Sequence, residues 1–238
     1  MPLAVTRYQL AIATLSFGIL SGCGPEFEDR GPIQTETQSI DLDNSEFVSV
    51  RLRMGAGELS ARGGSPKLMD GEFSFRRLAM KPKIHYDASG FRGRLRVEEP
   101  SGVHTSNSRY RWDLRFNDDK PLDLDLELGA GEARLDLGSL NLRSVDVHMG
   151  VGELRLDLRG RPKSDYTVNL RGGVGEATVY LPQDVGVVAD AQGGIGGITA
   201  RGLVKRDGEY VNDAYGRAKT TVRLDIRGGI GAINLIGG

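Results

Sequence analysis

Three features of the sequence predict an all-β chain wound as a β-solenoid: a recurring glycine unit, its spacing, and strict apolar–polar alternation on either side of it. The unit reads LRMGAGEL at Leu52–Leu59, LELGAGEA at Leu126–Ala133 and VHMGVGEL at Val147–Leu154. It returns as LRGGVGEA at Leu170–Ala177, AQGGIGGI at Ala191–Ile198 and IRGGIGAI at Ile226–Ile233. The last glycine of each G-x-G falls at Gly57, Gly131, Gly152, Gly175, Gly196 and Gly231, so successive spacings are 74, 21, 23, 21 and 35 residues. A period near 21–23 fits one supersecondary unit per coil of a solenoid.

Each copy has the same internal grammar. Val145, Val147, Met149 and Val151 alternate with polar residues or glycine, the signature of a strand with one buried face. After the glycines the alternation resumes one residue out of phase, at Leu154, Leu156 and Leu158. A slip at glycine marks a bulge or corner, where a residue without Cβ takes backbone angles closed to others. Each repeat is therefore a strand, a glycine corner and a second strand. Its apolar face is buried by stacking, with Ala130, Val151, Val174 and Ile195 forming a column near the corners. The solenoid is expected over residues 121–238, and an antiparallel β-sandwich of the same strands is the alternative.

The interval between Gly57 and Gly131 holds larger alternating residues: Phe73/Phe75, Ile84/Tyr86, Leu95/Val97 and Tyr110/Trp112/Leu114/Phe116. These suggest a wider β-rich part over residues 46–120, a sheet capping one end of the stack. The longer interval before Gly231 leaves room for a loop near Lys205–Ala218. No segment carries a helical pattern.

The N-terminus sets the compartment. Residues 1–7 hold Arg7 and no acid, and residues 8–20 are short and apolar, well under the ~20 residues needed to span a bilayer. Leu20-Ser21-Gly22-Cys23 then resembles the lipobox of bacterial lipoproteins, which implies cleavage before Cys23 and acylation of its sulfur and new amine. Residues 1–22 are thus a signal peptide, and residues 23–45 a lipidated cysteine with a polar, proline-containing tether. About 20 residues of loose coil would span roughly 25 Å. Gly24 follows the cysteine where an Asp would retain a Gram-negative lipoprotein at the inner membrane, which favours the outer one. The localisation expected is extracytoplasmic and lipid-anchored.

Composition narrows the function classes. Cys23 is the sole cysteine of 238 residues, so no intrachain disulfide forms and the exported domain stands on its core. Glycine, at 34 residues, is about twice its usual ~7% share. The formal net charge is −1, and −2 once residues 1–22 with Arg7 are removed; the signs are evenly mixed, so there is no footprint for nucleic acid. Enzyme readings find little support. Lipidation leaves no thiol nucleophile, His85, His104 and His148 form no H-x-x-x-H pair, and no G-x-S-x-G occurs. The G-x-G turns join strand to strand and so offer no helix N-terminus to a phosphate.

The segment Arg51–Leu59, then Trp112–Phe116 with Pro121, then Leu122–Leu137 around Gly-Ala-Gly-Glu, resembles the toast-rack domain family of LiaF-like, cell-wall-active-antibiotic-response proteins. The resemblance runs from about residue 46 to 238. It implies a single-stranded right-handed β-helix outside the membrane, with a role in envelope-stress sensing or surface adhesion and no catalytic residues to carry over. This chain has a lipobox where LiaF has transmembrane helices.

Two outward columns are candidates for contact. Glu132, Glu153 and Glu176 each follow G-x-G and would lie about 4.8 Å apart in stacked coils, close enough to recruit a cation such as Ca²⁺. The plainer reading sets them in solvent beside Arg134 and Arg155, and Gly197 and Ala232 interrupt the column. A second face holds Asp125, Asp146, Asn169, Asp190 and Asp225 beside Glu127, His148, Arg171, Gln192 and Arg227. That mixture is what solubility needs; its sharper reading is a carbohydrate-binding face. The function expected is a non-catalytic, membrane-tethered envelope module linked to the stress response, with a protein or polysaccharide partner. A surface adhesin is the alternative, and a glycan-active β-helix enzyme the third reading. No cofactor beyond Ca²⁺ is expected.

Overall fold

The computed structural model describes residues 32–100 and 110–238; Cys23, its lipobox and the first part of the tether lie outside them. The strands in chain order are β1 (Gln34–Ile40), β2 (Phe47–Arg62), β3 (Met69–Phe75), β4 (Lys83–Ser89), β5 (Arg92–Glu98), β6 (Arg111–Phe116) and β7 (Leu122–Asp136). They continue with β8 (Leu142–Asp157), β9 (Tyr166–Leu181), β10 (Gly186–Ile195), β11 (Ile198–Arg201), β12 (Val204–Arg206), β13 (Glu209–Val211) and β14 (Thr221–Gly237). One 3-10 turn, Leu78–Met80, is the sole helical element among the described residues. The fold is all-β and solenoid-like.

Six rungs stack in parallel: β2, β7, β8, β9, β14 and the pair β10/β11. Parallel pairing rules out the antiparallel sandwich for the repeats. Most rungs are single strands of 15–17 residues bent at G-x-G, giving a leading arm before the corner and a trailing arm after it. Inward side chains of the two arms meet. Val50, Leu124, Val145, Val168 and Leu224 line the leading arms, and Leu135, Leu156, Val179 and Leu235 the trailing ones, each at most 4% exposed.

The corner needs glycine for two separate reasons. Gly57, Gly131, Gly152, Gly175, Gly196 and Gly231 all have φ between 128° and 149°, a region costly for L side chains. They also stack on one another, and a methyl group on any of the upper five would overlap the carbonyl oxygen of the glycine on the rung beneath. Conformation and close approach thus select the same residue.

Three expectations are corrected. First, rung order departs from chain order: β14 inserts between β9 and β10, so the Gly231 corner lies between those of Gly175 and Gly196. The residues between make this possible, because Val204–Val211 forms the β12–β13 hairpin, where a loop was expected, and pairs with β10. Second, the repeats do not begin at residue 121. β2 is the first rung, in register with β7 from Val48/Leu122 to Arg62/Asp136, and residues 63–120 are an insertion between rungs one and two. Third, the tether does not extend to residue 45, since β1 pairs antiparallel with β3 over its whole length. Its QTETQSI sequence is almost wholly exposed, so backbone pairing rather than burial holds it.

The insertion covers the first rung on both arms. β5 pairs with the leading arm of β2 and β4 with β5; β6 pairs with the trailing arm, followed by β3 and β1. Beneath lies an aromatic cluster in which Trp112 meets Phe73 and Tyr110 edge-on, each at 5.8 Å between ring centroids. The Tyr110 hydroxyl donates to the Met80 carbonyl at 2.9 Å, and burial pushes its pKa far above the ordinary phenol value. Among the described residues the other end is covered on the leading side only, by the β12–β13 hairpin. There Asn212 is 8% exposed, accepts from Val187 N–H and donates to the Val185 carbonyl.

Candidate functional site

The corner edge concentrates what the ladder can offer a partner. The middle residue of each G-x-G sits at the apex, and rung by rung these are Ala56, Ala130, Val151, Val174, Ile230 and Ile195. The column expected from the sequence forms, but facing outward: Val151 is 53%, Val174 46%, Ile230 51% and Ile195 72% exposed. The phase slip explains the inversion. Met149 and Leu154 are both buried five residues apart, so the chain between them must bulge and turns its central side chain out. Over six rungs this makes a ridge roughly 24 Å long, growing from alanine to isoleucine.

Inside the same corner the trend reverses. The inward position before the corner is Met54, Leu128 and Met149 on the first three rungs, but Gly172, Gly228 and Gly193 on the last three. Opposite Gly172 stands only Ala177, and a methyl on Gly172 would touch nothing within 4 Å. The result is an apolar crevice of about 40 Å³ bordered by Met149, Leu154, Leu170, Ile226 and Ile233. Sequence reasoning passed over this feature, although the change from Met-Gly or Leu-Gly to Gly-Gly in the last three repeats was its signal.

The trailing flank of the ridge carries the glutamates. Glu132, Glu153 and Glu176 stand in register, and Glu58 makes a fourth. Each is drawn toward a lateral partner where one is near: Glu58 to Arg111 and Glu132 to Arg134, both at 2.5 Å, and Glu176 to the Asn234 amide at 2.7 Å. Among the described residues no three carboxylate, imidazole or thiol groups converge as metal ligands. Ala232 pairs with Glu176 and ends the column.

The leading flank is the mixed face. Arg53, Glu127, His148, Arg171, Arg227 and Gln192 form its first column, and Arg51, Asp125, Asp146, Asn169, Asp225 and Asp190 the next. Neighbours pair along and across the rungs, with Arg51–Asp125 at 2.8 Å, Arg53–Glu127 at 3.0 Å and Arg227–Asp190 at 2.7 Å. The Arg227 hydrogen bond holds the Asp190 carboxyl below its ordinary value. An open groove of about 830 Å³ runs along this column, lined by Arg53, Glu127, His148 and Arg171 and closed at one end by Glu99. Of the three histidines, His85 and His148 lie on different outer faces and His104 falls outside the described residues.

Comparison with known proteins agrees with this architecture. The profile of the N-terminal domain of toast_rack (DUF2154) matches residues 29–180, and that of the cell wall-active antibiotics response LiaF C-terminal domain matches residues 131–235. Among solved structures, a "putative cell adhesion protein" from Clostridium sporogenes ATCC 15579 is 31% identical with a TM-score of 0.79, over 87% of this chain and all of that one. A "putative adhesin" from Bacteroides fragilis NCTC 9343 is 11% identical over 86% of this chain and 97% of that one, with a TM-score of 0.34, too low to carry an argument. No curated protein matches. No helix among the described residues is long and apolar enough to cross a membrane. By profile and by structure, the chain belongs to the toast-rack family, with a LiaF-like C-terminal region.

Proposed function

We propose that this protein is a non-catalytic binding module of the bacterial cell envelope, lipid-tethered at Cys23 and engaged in the envelope stress response. The observation that carries the reading is the register of the outer columns: apolar side chains recur at the apex of all six rungs, and glutamates beside it on four consecutive ones. Such a surface suits an extended contact, whereas catalysis needs a few groups converging on one reacting atom. Membership of a family that includes LiaF supports the envelope setting.

A second reading, a surface adhesin or carbohydrate binder, is favoured by the groove along Arg53, Glu127, His148 and Arg171 and by the adhesion name of the C. sporogenes relative. The two separate in one experiment. The full chain is expressed in its host with a photo-crosslinker at position 148, irradiated, and the adducts identified; the purified protein is also run over a glycan panel. A single envelope protein captured from position 148, with no glycan retained, supports the stress-response module. Glycan retention lost in His148→Glu supports the adhesin. Turnover of any glycan would overturn both.

A further inference from the structure

The apex ridge has an occupant that the path of the chain identifies. β6 starts opposite Glu58, immediately after the first corner; β3 ends and β1 begins at that same level, with Gln34 opposite Phe75. The N-terminal segment therefore enters the domain on the corner edge, three strand spacings (roughly 14 Å) from the first corner. Ten residues lie between Cys23 and Gln34, a span of about 18 Å as loose coil and under 40 Å at full stretch. A lipid on Cys23 would thus bring the corner edge nearer the membrane surface than the opposite edge, where the rungs are joined by turns.

That edge is built for such a position. Besides the ridge it exposes Ile33 (41%) and Leu78 (67%), the latter in the 3-10 turn that crosses from β3 to β4 at corner level. Its charges are of both signs on both flanks: Arg53, Arg171 and Arg227 stand with Glu127 on the leading side, and Glu58, Glu132, Glu153 and Glu176 with Arg111 and Arg134 on the trailing one. Zwitterionic headgroups present one phosphate and one ammonium each, and match that arrangement better than a purely anionic surface does. β-Branched side chains on rigid glycine corners lose little rotamer freedom on insertion.

We infer that the apex ridge of Val151, Val174, Ile230 and Ile195 lies in the interface of a zwitterionic bilayer, so that the solenoid sits on its corner edge with the rung turns pointing away. The inference rests on the tether proposed above and adds an orientation to it. The test uses the full mature chain in vesicles of phosphatidylethanolamine and phosphatidylcholine. An environment-sensitive fluorophore is placed on Ile230→Cys or, as a control in the turn between β8 and β9, on Ser164→Cys. The intact mass of each preparation reports whether Cys23 is acylated, which separates the two ideas. In acylated protein, blue-shifted emission at 230 that is quenched by spin-labelled lipid, with neither change at 164, supports the orientation. It should be lost in Val174→Ser/Ile195→Ser, whose melting temperature stays unchanged because both sites are exposed. Equal signals at the two positions, or none at 230, would overturn it. If Cys23 carries no lipid, Cys23→Ala protein is mixed with the same vesicles: quenching confined to 230 still supports the ridge, and its absence overturns it.

Discussion

The first three rungs and the last three solve the same corner in opposite ways. On β2, β7 and β8 the inward position is filled by Met54, Leu128 and Met149, and the apex is Ala56, Ala130 and Val151. On β9, β14 and β10 the inward position is glycine and the apex Val174, Ile230 and Ile195. Apolar volume at the apex grows along the ladder, while inside the bend Ile233 and Ile198 reach over Gly228 and Gly193 and only the fourth rung, at Gly172, is left hollow. The end coverings differ as well, since the aromatic insertion covers both arms of β2 while β11 has no strand beyond it among the described residues. Packing is thus concentrated at one end of the ladder and exposed apolar surface at the other. A module that needs only a rigid support at one end and a contact edge at the other would be divided this way.

The largest effect is expected at the corner glycines themselves. Gly152→Ala should cost roughly 3 kcal/mol or more, because a strained φ of 140° is compounded by overlap with the Gly131 carbonyl; denaturant titration reads it as a fall in midpoint at constant slope. Next, Leu128→Ala empties a filled corner and should cost about 2–5 kcal/mol. Its mirror image, Gly172→Ala, enters the crevice of the fourth rung without a clash, and should be neutral or gain up to about 1 kcal/mol by restricting the unfolded chain. A loss of stability in Gly172→Ala would contradict the hollow corner.

A smaller effect depends on pH. Hydrogen bonds from Ser39 and Ser65, and the charges of Arg115 and Lys67, hold the Asp70 carboxyl below its ordinary value in the covered end. At Asp43 burial works the other way, but bonds from Ser45 and Tyr86 outweigh it and the carboxyl is lowered too. A depressed carboxylate stabilises above its unfolded pKa of about 3.9, and the contribution fades as pH falls through the lower folded value. Stability should therefore decline below about pH 4, and Ser65→Ala should flatten that decline in a melting series from pH 7 to pH 2.5.

Much of this was legible in the sequence. The alternation gave the arms, the phase slip the corner, and the Gly-x-Gly-Glu spacing the register that aligns Glu132 with Glu153 and Glu176. What stayed hidden has physical causes. Parallel neighbours exchange the same hydrogen bonds whichever repeat they come from, so nothing local places β14 before β10; only the 35-residue spacing hinted at a detour. Periodicity cannot say which way an apex points when the slip happens at that residue, and Val151 was therefore read with the core. β1 carries no alternation because both its faces are wet, so its pairing left no pattern. The crevice needed the register itself, since Gly172 and Ala177 are five residues apart and face each other only once the chain has turned.

Whether the proposed module is tethered on the outer side of a membrane is decided by the intact mass of the mature chain from its host, measured alongside Cys23→Ala. A chain starting at acylated Cys23, with the variant lost from the membrane fraction, is the predicted result. A chain that still begins at Met1, or an unmodified Cys23 in a soluble fraction, would contradict it.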